Sequence, residues 1–469
     1  MCLIAGGISE GRSELIRKMI LAGRHRGRDG FGVWAGGKIF RSRSWEKLSE
    51  IPQGDPFLVH CRLAITGSSE ALQPFSSGKV VLTHNGEVYN HEHIRSYFRH
   101  FEFESDSDSE VLLPIVEMKP DKAFQMVLGD YAVAFSDGSY VGLLRDIAGI
   151  RPLYYSPNGF FASEKKVLWT IGEKALTLPP GSFARLGNFV EVRKILSIHD
   201  LGGKTFDPET ALESLYHSLS FSVRAVSKFK GKLGVLFSGG LDSTLIASLL
   251  PRKATLYVAG RRGSYDVERA KKVASELGME LETAEITLER LKSDIQHIAW
   301  AVEDPNPITL SVAVPMYYAT KRASEEGLKV LLSGSGADEL FGGYAKYLRD
   351  PHLMEHDLNE MAEKNLVRDD KVGMLNGIEV RFPYLLLPVL LSAMRTPLEM
   401  KVNKGERKII LHKLGKLISL PEIALKGKKA AQYGSGATEL LRKLARKSGL
   451  SLRSYSRLLF TKLFGRFSG

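Results

Sequence analysis

The sequence predicts a mixed α/β protein of two domains with different kinds of sheet. Three observations carry this expectation. The chain has 469 residues, more than a single hydrophobic core ordinarily serves. Up to about residue 190 it reads as short strands, such as 79–84 and 130–135, separated by Gly- and Asp-rich corners. From about residue 209 the texture changes to alternating strands and helices. Apolar runs at 233–237, 254–259 and 329–332 have the continuous hydrophobicity of buried parallel strands.

The elements follow in order. Pro179-Pro180-Gly181-Ser182 is a turn near the end of the first region, and Gly202, Gly203 and Pro208 mark a linker. Residues 266–277 place apolar side chains at helical spacing, and Gly278 fits the cap of that helix. The expected division is a first domain over 1–190, a linker over 191–208, a second domain over 209–435 and a basic helical tail over 436–469.

Composition narrows the class. Hydrophobic content of 43% and charged content of 25% are ordinary for a globular protein in water. No apolar run is long enough to span a bilayer. Glu10, Arg12 and Arg17 interrupt the amino-terminal stretch, so no secretory signal is read and the cytoplasm is expected. The two cysteines, Cys2 and Cys61, build neither a disulfide framework nor a CxxC zinc site. A formal net charge of +12 suits contact with a polyanion or an anionic substrate.

Cys2 opens the chemistry. Once Met1 is removed, one residue carries a thiol and a free α-amine. The amine titrates near neutrality, so it can take the thiol proton without a His or Asp neighbour. Four further segments fit an amide-hydrolysing site: His25-Arg26-Gly27-Arg28-Asp29-Gly30, His60-Cys61-Arg62-Leu63-Ala64-Ile65, His84-Asn85-Gly86-Glu87-Val88-Tyr89-Asn90 and Ser105-Asp106-Ser107-Asp108-Ser109-Glu110. Arg62 suits a bidentate grip on the α-carboxylate of glutamine. Asp108 suits the α-ammonium. The Asn85 amide and the Gly86 N–H suit a developing oxyanion. Each segment also has a plain reading as a turn or a solvated helix start, and only their conjunction points to a site.

In order and spacing these segments resemble the class II glutamine amidotransferase domain, an N-terminal-nucleophile hydrolase. Arg145-Asp146, Gly149, the 152–155 Pro-Leu-Tyr-Tyr run and Ala162-Ser163-Glu164-Lys165 extend the match across residues 1–190. The resemblance implies an α/β/β/α sandwich. It places glutamine against Arg62, Ile65, Asn85, Gly86, Glu87 and Asp108. Cys61 lies outside that pattern and reads as a buried strand residue.

A second centre follows the strand at 233–237. Ser238-Gly239-Gly240-Leu241-Asp242-Ser243 is a glycine-rich turn entering a helix, where backbone N–H groups and hydroxyls meet an anion. No lysine follows it, so it is not a P-loop. It resembles the pyrophosphate loop of N-type ATP pyrophosphatases. The 333–344 run Ser-Gly-Ser-Gly-Ala-Asp-Glu-Leu-Phe-Gly-Gly-Tyr, the 376–384 segment and Lys404-Gly405-Glu406-Arg407-Lys408 resemble the glutamine-hydrolysing asparagine synthetases. That family resemblance implies an open parallel-sheet domain using ATP and Mg²⁺. Phe237, Ser238, Gly239, Gly240, Ser243, Ala259, Ser333 and Gly334 would line the nucleotide. Asp242 and Asp338 would hold the metal. Lys371 and Lys408 would face the phosphates, with Lys408 counted as catalytic.

Two positions depart from the family's pattern. The third residue of the 333–336 segment is usually Glu and here is Ser335. The aspartate-recognising stretch usually ends in Arg and here is Ile308-Thr309-Leu310-Ser311. Lys346 or Arg381 is expected to replace that arginine, unless the acceptor differs. The sequence therefore supports an asparagine synthetase acting on aspartate and glutamine. The alternatives are the same build with another carboxylate or nitrile acceptor, such as a modified tRNA base, and a non-catalytic scaffold. The basic segment at 426–434, and the tail with Arg442, Lys443, Arg446, Lys447, Arg453, Arg457, Lys462 and Arg466, read as a solvated face or an RNA contact. A homodimer is the assembly considered.

Overall fold

The computed structural model describes residues 2–67, 71–426 and 434–465. The chain forms two compact units, Met1–Asp200 and Leu201–Gly469.

The first unit holds two antiparallel sheets. In one, strands run in the order β11 (Leu176–Thr177), β9 (Tyr154–Tyr155), β10 (Phe160–Ala162), β1 (Leu3–Gly7), β4 (Phe57–Arg62), β2 (Gly30–Ala35) and β3 (Lys38–Ser42). In the other the order is β13 (Val190–Lys194), β12 (Ser182–Leu186), β8 (Val141–Arg145), β7 (Gly129–Ser136), β6 (Val81–Val88) and β5 (Phe75–Ser76). The alternation of strand side chains decides the layering. Leu3, Ala5, Val59 and Cys61 pack against Ile16, Met19, Ile20, Val167 and Leu168 of helices Ser13–Gly23 and Lys165–Thr170. Ile4, Leu58 and Trp34 point the other way and meet Val81, Ala132, Ala134 and Leu143 of the second sheet. The outer face of that sheet, with Leu82, Val133, Phe135 and Leu144, lies under Leu112, Leu113, Ile115 and Val116. The result is the four-layered α/β/β/α sandwich. Cys61 is fully buried, and burial pushes its thiol pKa up, so it stays protonated in the core. Strand β13 carries this unit past residue 190, into the stretch read as a linker.

The second unit is built on a five-stranded parallel sheet in the order β16 (Leu281–Glu285), β15 (Thr255–Gly260), β14 (Leu233–Leu236), β17 (Val330–Leu332) and β18 (Glu379–Arg381). The chain starts at β14, steps outward through β15 and β16, and returns to β17 on its other side. The strand order thus reverses between β14 and β17, and ligands bind beyond the carboxyl ends of strands at such a switch. Helix Pro208–Val226 enters this unit with Asp207 as its N-cap and Pro208 in its first turn.

The region read as a basic tail folds as helices Ala437–Lys447 and Leu452–Phe464, which pack on helices Leu288–Val302 and Pro307–Glu325. Leu440, Leu441, Leu444, Leu459 and Phe460 are buried. Arg442, Lys443, Arg446, Lys447, Arg453, Arg457 and Lys462 are exposed. That is the amphipathic split of a solvated helix face. Met1, Arg466 and residues 427–433 of the basic segment lie outside the described residues. No described helix is long and apolar enough to cross a membrane.

Candidate active sites

The first centre gathers around Cys2, immediately before β1. The Cys2 N–H donates to Asn85 Oδ1 at 2.9 Å. An N–H is met only by the amide oxygen, so this bond fixes the orientation of the Asn85 side chain. The Asn85 Nδ2 is left buried with no hydrogen-bond partner among the described residues. A buried amide donor without an acceptor costs about 1–3 kcal/mol. Such a cost persists where a ligand oxygen is to take the bond.

Arg26 holds Cys2 from the other side. Its Nε donates to the Cys2 carbonyl at 3.0 Å and its Nη1 to Glu164 Oε1 at 2.9 Å. Arg26 and Glu164 are fully buried. His25 Nε2 lies 3.1 Å from Glu164 Oε2, and Lys166 also pairs with that oxygen. Burial alone would raise the Glu164 carboxyl. His25, Lys166 and Arg26 outweigh it and hold the group well below the usual carboxylate range. A fixed cation therefore grips the backbone of Cys2.

The corner expected to clamp glutamine is assembled by a chain of short contacts. Gly27 passes so close to β4 that a Cβ there would lie 2.1 Å from the Cys61 carbonyl oxygen. This approach lets the Asp29 N–H donate to the Arg62 carbonyl at 2.9 Å, and Asp29 Oδ2 accept from the Ala64 N–H at 2.7 Å. The corner after β4 is thereby pinned. Arg62, itself buried, donates to the Thr66 carbonyl at 3.2 Å. Thr66 Oγ1 donates to Glu87 Oε2 at 2.8 Å. Asp108 Oδ2 accepts from the Val88 N–H at 2.8 Å. Ile65 is half-buried on the same corner. Gly86 has φ 149°, and a Cβ there would lie 2.0 Å from the Asp130 carbonyl oxygen, so only glycine fits beside Asn85. The structure thus links Arg62, Glu87 and Asp108 through neighbouring backbone to the strand that carries Asn85.

The second centre lies at the β14–β17 switch. Gly239 takes φ 65°, and the Gly239 carbonyl accepts from Arg269 Nε at 2.8 Å. Gly240 caps helix Leu241–Ser248, its carbonyl accepting from the Thr244 N–H and from Thr244 Oγ1. Ser238 lies in this loop, and the Ser243 hydroxyl, in the first turn of the helix, donates to the Gly240 carbonyl at 3.2 Å. Phe237 donates its N–H to the Tyr257 carbonyl of β15, the strand that also holds buried Ala259. Ser333 follows β17, and a Cβ on Gly334 would lie 3.1 Å from the Asp242 Cβ. The two loops are therefore in contact.

Lys408 stands between the carboxylates. Its Nζ lies 2.7 Å from both oxygens of Asp242 and 2.6 Å from Asp338 Oδ1. Burial opposes that charge, but Asp242 and Asp338 raise the lysine well above its ordinary range. The residue adopts φ 53°, a strained conformation for a non-glycine. It follows a hairpin, Val402–Asn403 paired with Glu406–Arg407, whose turn residues Lys404 and Gly405 both have positive φ, as a tight I′-type turn requires. Two carboxylates converging on one cation are a donor set that also suits a hard divalent ion.

Three expected cations are held by partners within the protein. Lys371 is 1% exposed and its Nζ pairs with Glu303 Oε2 at 2.5 Å. Arg381 does not replace the missing arginine. It is fully buried, with Nε on Glu379 Oε1 at 2.5 Å and Nη1 on the Val226 carbonyl at 2.8 Å. Lys346 is engaged with Asp357, with its Nζ 2.7 Å from Oδ1. The Ser311 hydroxyl bonds back to the Pro307 carbonyl within its own helix.

Sequence reasoning gave no role to Glu164, Lys166 or Arg269. Glu164 and Arg269 sit far along the chain from what they hold, Lys166 neighbours Glu164, and charge-rich neighbours look alike in sequence. Only the burial of full charges singles them out.

Two family models match. The Glutamine amidotransferase domain model covers residues 1–186, and the Asparagine synthase model covers 214–356 and 351–465. A relative from Methanocaldococcus jannaschii, named "Putative asparagine synthetase (glutamine-hydrolyzing) 1", is 31% identical over 93% of this chain and 93% of its own length. The chain belongs to the glutamine-hydrolysing asparagine synthetase family. Within the family it is also similar to asparagine synthetase B of Escherichia coli K12, at 29% identity over 81% of this chain and 71% of the relative. A Schizosaccharomyces pombe relative, named as a probable asparagine synthetase, is 31% identical over 83% and 74%. Membership in the asparagine synthetase family agrees with the two-centre architecture read from the coordinates.

Proposed function

We propose that this synthetase family member transfers the amide nitrogen of glutamine to aspartate, with ATP as the activating substrate. The observation that carries the first half is the Cys2–Asn85 bond, which leaves a buried amide donor unmet beside the nucleophile. The Cys2 thiol attacks the glutamine side-chain carbonyl, and the α-amine takes the thiol proton and returns it to the leaving ammonia. The Asn85 Nδ2 and the Gly86 N–H stabilise the oxyanion. Arg26 keeps the backbone of the nucleophile in register. Arg62 and Asp108 grip the amino-acid end of glutamine. Water then hydrolyses the thioester to glutamate.

In the second unit the loop 237–243 and the segment 333–334 receive ATP, which enters as its Mg²⁺ complex. Asp242 and Asp338 suit the metal, and Lys408 suits the phosphates. The aspartate side-chain carboxylate attacks the α-phosphorus and pyrophosphate leaves. Ammonia displaces AMP from the acyl-adenylate to give asparagine.

The test is pyrophosphate release from ATP and Mg²⁺ with glutamine, with and without aspartate, and with the product identified by mass. Aspartate-dependent pyrophosphate together with asparagine supports the reading. Glutamine hydrolysis that ignores aspartate overturns the acceptor assignment. Cys2→Ala is expected to abolish synthesis from glutamine and to retain it from ammonium salts. Loss of both would separate neither centre and would contradict the division of labour.

A further inference from the structure

The expected stand-ins for an acceptor-binding cation, Arg381 and Lys346, are engaged elsewhere. Lys408 and Lys371 are held by Asp242, Asp338 and Glu303. One further guanidinium stands beside the nucleotide loops. Arg368, on helix Val367–Leu375, directs Nε at 2.8 Å and Nη2 at 2.6 Å onto a single oxygen, Asp369 Oδ1. Its Nη1 reaches Asn365 Oδ1 at 3.2 Å. The other oxygen, Asp369 Oδ2, accepts from Ser335 Oγ at 2.7 Å. Ser335 Oγ also lies 3.0 Å from Ser333 Oγ. Asp369 is 3% exposed and Arg368 9%, whereas Ser335 is half-buried.

This arrangement joins a buried ion pair to the loop that touches Asp242. An α-amino acid presents a carboxylate and an ammonium on one carbon. An arginine and an aspartate already paired match both charges. The zwitterion would enter as a neutral exchange: its carboxylate takes guanidinium N–H groups, and its ammonium takes the Asp369 oxygen. The α-carboxylate and α-ammonium together add no net charge to the pair, which avoids the desolvation cost of leaving one partner alone. Ser335 holds the Asp369 oxygen on the side of the adenylating loops. A serine at that place needs no charge of its own, because Asp369 brings the carboxylate to it.

We propose that Arg368 and Asp369, tethered to the nucleotide loop through Ser335, bind the α-carboxylate and α-ammonium of the acceptor amino acid. This rests on the reading above that the acceptor is aspartate. The test compares wild type with Asp369→Asn and Ser335→Ala in aspartate-dependent pyrophosphate release, with succinate as a competitor that lacks the α-ammonium. In Asp369→Asn the aspartate KM is expected to rise tenfold or more, with the ATP KM within twofold. The advantage of aspartate over succinate should shrink by a similar factor. Ser335→Ala, which removes one partly exposed hydroxyl, should raise the aspartate KM severalfold and keeps the test alive if the first variant fails to fold. A purely structural ion pair would lower kcat or stability without moving the aspartate-to-succinate ratio, and that outcome overturns the proposal. No aspartate-dependent pyrophosphate from wild type would sink the acceptor reading and this assignment with it. A wild-type response preserved in both variants would sink this assignment alone.

Discussion

At the scale of single residues, the two centres differ in how they hold charge. Around Cys2 the protein supplies fixed donors, with Arg26 on the Cys2 carbonyl and Glu164 and Lys166 one layer back. Asn85 serves twice, once through Oδ1 to the Cys2 N–H and once through the unmet Nδ2. Asn85→Ala removes both. Loss of one oxyanion donor ordinarily costs about 10²–10³-fold in rate. Glutamine hydrolysis should fall by at least that factor, while synthesis from ammonium salts stays near wild type. A fall of less than tenfold in steady-state glutaminase assays would mean that Gly86 alone carries the oxyanion. The sequence exposed Asn85 because it stands in a compact motif. Arg26 was equally visible but mute, since its partner Glu164 lies 138 residues away. The fate of Arg381 was illegible because sequence does not show burial: its neighbour Glu379 and the distant Val226 carbonyl turn a cation near a motif into part of the core.

At the scale of elements, sheet type was legible because strand periodicity records which faces are buried. Leu3, Ile4 and Ala5 are all apolar, and the structure covers Leu3 and Ala5 with helices and Ile4 with the second sheet. The continuous apolar run at 233–237 points to a strand covered on both faces. Element ends were less legible, because β13 and the carboxyl-terminal helices are set by packing partners, not by local punctuation. Two glycines separate the ways an element requires that residue. Gly86 is hemmed in by the Asp130 carbonyl oxygen at 2.0 Å from a Cβ, whereas nothing lies within 4 Å of a Cβ on Gly405, whose φ is 86°. Gly405→Ala should therefore cost only the backbone term, roughly 1 kcal/mol. Gly86→Ala adds a backbone collision and should lower thermal stability more, along with glutaminase activity. Equal melting temperatures for the two variants would contradict this.

At the scale of the whole molecule, acid sensitivity should concentrate in the first unit. Burial pushes His60 well below its ordinary value, aided by Arg62 and His84. Burial also lowers His25, against the pull of Glu164. Both folded-state pKa values lie below the unfolded one. Below about pH 6.5 the unfolded chain binds protons that the folded chain refuses, so stability falls as pH falls. Each histidine contributes at most about 1.4 kcal/mol per pH unit. Glu164, held low, adds stability that is present above its unfolded pKa and is lost on further acidification. Thermal melting followed from pH 7.5 to 5.5 should show a falling midpoint, and His60→Gln should flatten the slope. A midpoint independent of pH over this range would contradict it.

Lys408 has one further consequence. An ammonium tethered by its own chain already occupies the space between Asp242 and Asp338, at an effective concentration that a free ion must match. A bare divalent ion therefore competes with an internal counter-ion and not merely with water. Asp242 and Asp338 would hold a metal that arrived with a triphosphate, and the triphosphate would offer Lys408 a replacement anion. Millimolar Mg²⁺ alone should leave the melting temperature unchanged, whereas Mg²⁺ with ATP should raise it. In Lys408→Ala, Mg²⁺ alone should become stabilising. A wild-type protein stabilised equally by the bare ion would show that the lysine is no gate. On this expectation Lys408 would hold the place between Asp242 and Asp338 until the whole nucleotide complex arrives.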